Sequence, residues 1–180
     1  MSNVRPHNSF ADAMSTTSSL RLLEPEDSMA LLRLYTSPVV RKHLGGPVSQ
    51  ALAEAKIAAL YEPEQGSYVW AICGKPPAKP FHGLVTLANH HEAKDIEVSY
   101  ALLPEHQGQG YAARAVEQVL AYAFAVLGIR RVVAETQTSN EASVRLAKRV
   151  GMKLERRLIR FGQEQSMFVA MPVGKASGAA

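Results

Sequence analysis

Apolar and polar residues alternate along one stretch near the middle of the chain. Ile96, Val98, Tyr100 and Leu102 fall on one face of an extended strand, with Asp95, Glu97 and Ser99 on the other. Pro104 stops this strand by removing a ladder donor. The period then changes. Ala112, Val116, Val119, Leu120, Ala123 and Leu127 recur at helical spacing, and Gly128 suits the position just past a helix end. Between strand and helix lie Gly108 and Gly110, which let the backbone turn tightly and admit a ligand close to its amides. A helix starting near Gly110 aims unpaired N–H groups at that loop, and such a terminus favours an anion, most often phosphate.

The same patterns predict the other elements. Ser19–Glu24 reads as a first strand with Leu20 and Leu22 on one face. Pro25, Glu26 and Asp27 suit a helix entry, with Met29, Leu32 and Tyr35 or Thr36 as its buried stripe, and Ser37-Pro38 ends it. Residues 39–44 form a further helical turn, stopped by Gly45-Gly46-Pro47. Ser49 caps a helix over 50–61 carrying Leu52, Ala55, Ala59 and Leu60. Residues 67–73 and 81–88 are strands of an antiparallel hairpin around a proline-rich turn. Residues 130–136 make another strand. Thr138 and Glu141 form a capping box for a helix carrying Val144, Leu146, Ala147 and Val150. Residues 153–171 close the chain as a hairpin turning at Gly162. The order β-α-α-β-β-β-α-β-α-β-β argues for one mixed α/β sheet.

At 180 residues, 47% apolar and 20% charged, the composition is that of one soluble globular domain. The net charge of +4 comes without a Lys/Arg run. That suits a polyanionic ligand and gives no support for nucleic-acid binding. Cys73 is the one cysteine, which fits a reducing cytoplasm. No apolar stretch is long enough to span a bilayer. Residues 1–17 and 173–180 read as flexible tails, leaving 18–172 as the domain.

Gln107-Gly-Gln-Gly110-Tyr-Ala112 fits the (Arg/Gln)-x-x-Gly-x-(Gly/Ala) loop of the GNAT family of N-acetyltransferases. The segments 97–100 and 102–107 resemble that family's fourth strand and its exit. Asn140-Glu-Ala-Ser143, followed by Lys148-Arg-Val-Gly151-Met152, is similar to its Asn-x-x-Ser…Lys-x-Gly-Phe helix. The wording of both motifs, with Leu20–Asp27, looks most like the RimJ/RimL-type branch. The resemblance covers about residues 18–172. It implies a single GNAT-like α/β domain, with a mixed, mostly antiparallel sheet of about seven strands flanked by about four helices. It also implies acetyl-CoA as co-substrate, without a metal, and direct transfer to a primary amine in a ternary complex. The acceptor is a protein N-terminus or a small amine.

Such a transfer needs a held cofactor, an amine that loses a proton, donors for the oxyanion, and a proton for the leaving thiolate. By resemblance, Gln107, Gly108, Gln109, Gly110, Tyr111 and Ala112 cradle the pyrophosphate. Leu102 and Leu103 lend main-chain groups to the pantetheine, and Asn140 contacts the cofactor. Glu97 stands where a carboxylate reaches the acceptor amine, with Asp95 as the fallback. Ser143 is placed to hydrogen-bond the departing sulfur. Many relatives carry a general-acid Tyr four residues after that Ser; this chain has Ala147. The first helices, with Arg41 and His43, would choose the substrate, and the last hairpin could pair across a homodimer.

Two other readings compete. One is a GNAT-like domain that binds acetyl-CoA without catalysis. The other is a dinucleotide oxidoreductase, because Gly108-Gln-Gly110-Tyr-Ala-Ala113 also satisfies Gly-x-Gly-x-x-Ala, with Glu135 about twenty residues on. Against it, residues 104–107 separate the strand from the first glycine, and too little chain follows for a second mononucleotide half. The histidines at 7, 43, 82, 90, 91 and 106 show no metal spacing, and His90-His91 reads as a solvated pair.

Overall fold

The computed structural model describes residues 19–74, 78–92 and 94–172. The expected tails lie outside these residues. The strands are β1 (Leu20–Arg21), β2 (Tyr68–Cys73), β3 (Phe81–Asn89), β4 (Ile96–Leu102), β5 (Val132–Gln137), β6 (Lys153–Arg160) and β7 (Gln163–Ala170). The helices are α1 (Ser28–Thr36), α2 (Pro38–Arg41), α3 (Gln50–Tyr61), α4 (Tyr111–Ala125) and α5 (Glu141–Arg149). Short 3-10 turns cover Pro25–Asp27 and Pro104–His106. Among the described residues five helices stand where about four were expected, because the turn at 38–41 is a helix in its own right. None is long and apolar enough to cross a membrane.

The strands form one seven-stranded sheet in the order β1-β2-β3-β4-β5-β7-β6. Neighbours are antiparallel except β4 and β5, which run parallel through the α4 crossover. This parallel pair is short. Only Ile96 with Val132 and Glu97 with Val133 are in register, and beyond them the strands separate.

Alternation sorts the strand side chains between two layers. Trp70, Ile72, Val85, Leu87, Val98, Leu102, Val132 and Phe168 pack under α4 and α5. Leu84, Val69 and Leu103 pack with Leu31, Leu34 and Ile57 of α1 and α3. Gly83 is fixed by the approach of β4, because a Cβ there would lie 2.2 Å from the Ala101 carbonyl oxygen.

Three expected faces are displaced. β1 ends at Arg21, and Leu22 is exposed. The buried stripe of α1 is Leu31 and Leu34 rather than Met29, since the helix starts only at Ser28, past the 3-10 turn. In α3 the inward residues are Ala53 and Ile57, while Leu52 is exposed. Its stripe is so narrow and Ala-rich that the sequence offered little contrast to read.

The turn before α1 is held by charge. Asp27 is buried and takes Arg21 in two bonds of 2.7 and 2.8 Å, while the Glu24 N–H donates to its Oδ2 at 2.9 Å. The pair raises the Arg21 pKa, and its fork geometry is the strong form of such a contact. This explains why an Arg and an Asp six apart belong to the Leu20–Asp27 segment.

Candidate active site

The opening between β4 and β5 is built by main-chain geometry. Leu103 N–H donates to the His82 carbonyl, which sets the antiparallel alternation so that the groups of Leu102 and Tyr100 turn away from β3, into the gap. Leu102 O accepts there from Gln107 Nε2 at 3.1 Å. Leu103 is not brought to the gap: its N–H serves His82 and its carbonyl accepts from His106. Of the two leucines expected to lend main-chain groups, only Leu102 has them at the opening.

The loop beyond is shaped for an anion. Gly108 and Gly110 take φ of 73° and 77°, in the left-handed region, and Gly110 is the N-cap of α4. The N–H groups of Gly108, Gln109, Gly110, Tyr111, Ala112 and Ala113 have no hydrogen bond among the described residues. Gln109 Nε2 braces the loop by donating to Glu105 O at 2.9 Å. Tyr111 meets the His82 ring edge-on at 4.4 Å, and Ala112 is buried beneath. Sequence reasoning missed Arg114. Its guanidinium lies 5.0 Å from the Tyr111 ring centroid and beside Gly110, adding a positive charge to the cradle. Its spacing of four from the second glycine was the available signal. These free donors and this charge fit a pyrophosphate.

On the face away from α4 stand Glu97 and Glu135, on neighbouring strands. Glu97 Oε1 accepts the Glu135 N–H at 3.4 Å. Burial pushes its carboxyl above the usual range, opposed by that N–H and by Ser99. Asp95, the fallback, is paired with Arg131, whose Nε donates to its Oδ1 at 2.7 Å. His90 is not solvated but buried. Its Nδ1 accepts the Glu92 N–H at 3.3 Å, so its Nε2 donates to Glu135 Oε2 at 3.0 Å. That fixes one neutral tautomer. Arg160 Nε lies 3.2 Å from Glu135 Oε1, an ion pair outside hydrogen-bonding angles. Ligand atoms of His90, His91 and Glu135 lie within 4.8 Å of one another, a grouping the sequence spacing did not reveal. The His90–Glu135 bond and the Arg160 charge already satisfy that carboxylate.

Glu135 therefore points away from the α4 loop, at a histidine and an arginine. A dinucleotide site would need it free for a ribose.

Across the gap, α5 is capped by Asn140, whose Oδ1 accepts the Ser143 N–H at 3.3 Å. The expected Thr138 cap is absent: its hydroxyl pairs with Ser166 at 2.8 Å. Tyr100, placed by the sequence on the strand's apolar face, has its phenol beside the Ser143 side chain, and burial raises that phenol's pKa. Ala147 is 2% exposed within the core, so the usual tyrosine position points inward here.

The chain matches the model of the acetyltransferase (GNAT) domain over residues 19–153. YoaA, an uncharacterized N-acetyltransferase of Bacillus subtilis, is 29% identical over 144 residues, 76% of this chain and 79% of that protein. Spermidine N(1)-acetyltransferase of Escherichia coli K12 is 30% identical over 78 residues, 43% of this chain and 42% of that one. A GNAT-family acetyltransferase structure from Bacillus anthracis superposes with a TM-score of 0.73 at 18% identity, covering 86% of this chain and 96% of its own. Spermidine N-acetyltransferase from Vibrio cholerae, in complex with CoA and spermine, gives 0.71 at 20% identity, covering 84% and 94%. With the family model spanning most of the sheet and both motif segments, the chain belongs to the GNAT acetyltransferases.

Proposed function

We propose that the protein transfers the acetyl group of acetyl-CoA to a primary amine by direct attack in a ternary complex. The observation that carries this is the gap between β4 and β5, which has unbonded loop N–H groups at one end and the Glu97 carboxylate on its far face. Acetyl-CoA supplies an activated thioester. Gln107–Ala112 and Arg114 would hold its pyrophosphate, and the outward main chain of Leu102 and Tyr100 its pantetheine amides. Asn140 would contact it from the start of α5.

Glu97 is the general base. Its raised pKa brings it nearer to the amine's proton, and it takes that proton as nitrogen attacks. Ser143 stands beside the Tyr100 phenol, which burial keeps protonated, and the two would together supply a proton to the leaving thiolate. A thiolate leaves readily, so this help is modest.

The lone, buried Cys73 supports a cytoplasmic protein. The Leu20–Asp27 segment and both motifs support the RimJ/RimL-like branch. The exposed Ile159 and Phe161 near the β6–β7 turn support pairing of that hairpin across a homodimer.

Isothermal titration with acetyl-CoA, CoA and NADH tests the reading, with Gly110→Glu as control. Micromolar acetyl-CoA binding, lost in the variant, with NADH silent, is expected. NADH binding with acetyl-CoA silent would move the dinucleotide reading to first place. Acetyl-CoA binding without thiol release across an amine panel would favour the non-catalytic domain.

A further inference from the structure

A cavity of about 180 Å³ lies between α1, α2 and the β3–β4 pair, on the same face as Glu97. It meets β4 at Ser99, two residues from Glu97 along that face. Leu34, Val40 and Leu84 supply apolar wall, and no lining residue is a carboxylate. The one charged lining residue is Arg41. Its Nε donates to Gly46 O at 2.5 Å and its Nη2 to Leu44 O, while Nη1 makes no hydrogen bond among the described residues.

The carboxylates near Glu97 are already matched. Arg131 holds Asp95, His90 and Arg160 hold Glu135, and Arg156 and Arg160 hold Glu92. Glu97 alone among these four has no cation bonded to it. The site therefore offers one free carboxylate, which suits one ammonium, and beside it an apolar cavity with a cation in its wall.

We propose that the acceptor is a monoamine carrying an apolar group and an anionic group, most simply a free α-amino acid with a side chain of leucine or phenylalanine size. This rests on the acetyl-transfer reading. A cavity of roughly 150 Å³ takes a benzene ring, so the volume fits an isobutyl or phenyl group. The amine faces Glu97, the apolar group fills the cavity, and the anion meets the free Arg41 Nη1. A polyamine would set its second ammonium near Arg41 with no carboxylate to receive it, so the lining selects against it.

The test uses the full chain with saturating acetyl-CoA and reads thiol release for phenylalanine, phenylalanine amide, phenethylamine and spermidine. Phenylalanine is expected to exceed each of the others at least tenfold in kcat/KM. Arg41→Gln should lower the ratio of phenylalanine to phenethylamine at least tenfold; a general disturbance of the α2 loop would lower both and leave the ratio alone. Spermidine equal to or better than phenylalanine overturns the proposal. So does amide matching acid, an unchanged ratio in Arg41→Gln, or no turnover of any of the four with acetyl-CoA bound, an outcome that reaches the transfer reading as well only if a wider amine panel is also silent. Failure to bind acetyl-CoA at all instead sinks the acetyl-transfer reading beneath it.

Discussion

The Glu97 carboxylate accepts the main-chain N–H of Glu135 at 3.4 Å, just where β4 and β5 stop pairing. A side chain thus takes the place of a strand partner, and the proposed base is held at the mouth of the gap. Glu97→Gln preserves the shape and one acceptor but removes the base. We expect kcat to fall roughly 10²–10⁴-fold in a thiol-release assay, with acetyl-CoA affinity by calorimetry nearly unchanged. The low-pH limb of kcat/KM should vanish with it. A variant keeping most of its kcat would leave Glu97 an orienting group.

The same residue links stability to pH. Burial raises the native carboxyl's pKa, so the folded state holds that proton more tightly than the unfolded one. This contribution is present below the ordinary glutamate pKa of about 4.3 and is lost as pH rises through the raised native value. Glu97→Gln should therefore gain Tm relative to the parent as pH increases through that window, then hold its advantage. Parallel melting curves at pH 4 and pH 8 check the sign, and an advantage that shrinks with pH would contradict it.

Gly110 sits at φ 77°, and a Cβ there would lie 3.3 Å from Arg114 Nη1. Left-handed backbone costs a non-glycine residue roughly 1–2 kcal/mol. Gly110→Ala should raise the acetyl-CoA dissociation constant about tenfold, since 1.4 kcal/mol is a factor of ten. Turnover at saturating acetyl-CoA should be far less affected. An equal affinity in titration would show that the loop is only a turn.

The Ser143 side chain lies beside the Tyr100 phenol. If they act as one relay, their losses overlap. Ser143→Ala and Tyr100→Phe should each lower kcat by about tenfold or more, and the double variant should be little worse than the poorer single. Fully additive losses would argue for separate roles.

Arg21 and Asp27 stake the first strand to the first helix, away from the chemistry. Asp27→Ala leaves Arg21 facing a carboxylate-sized void, and breaking a buried pair costs about 3–5 kcal/mol. Denaturant unfolding should show that loss. Little change would mean that water replaces the carboxylate without penalty.

Much of the fold was legible where periodicity was strong. The alternation through β4 and the stripe of α4 fixed both elements and the loop between them, and glycines at 108 and 110 marked where its backbone turns left-handed. The α1 and α3 faces were misread because an alanine-rich helix shows little contrast and because a 3-10 turn shifted the start of α1. Glu97 and Ser143 stood out as candidates through their place in the motifs. Their partners did not. Tyr100 looks like core from its place in the alternation, and His90, Glu135 and Arg160 are far apart in sequence, meeting only through strand register. Arg41 was a candidate for choosing the substrate, but only the α2 turn shows that it faces β3 and β4.

The seam between β4 and β5 has only two aligned residue pairs. The sheet is thus two leaves, β1–β4 and β5–β7–β6, stitched at one corner, by the Arg131–Asp95 bridge and by α4 lying across. An extended molecule with amide groups along its length, seated in that cleft, becomes an eighth strand. It would supply the rungs that the polypeptide omits. Cofactor binding is then partly a folding event, and amide exchange at Tyr100 and Leu102 should slow when the cleft is filled.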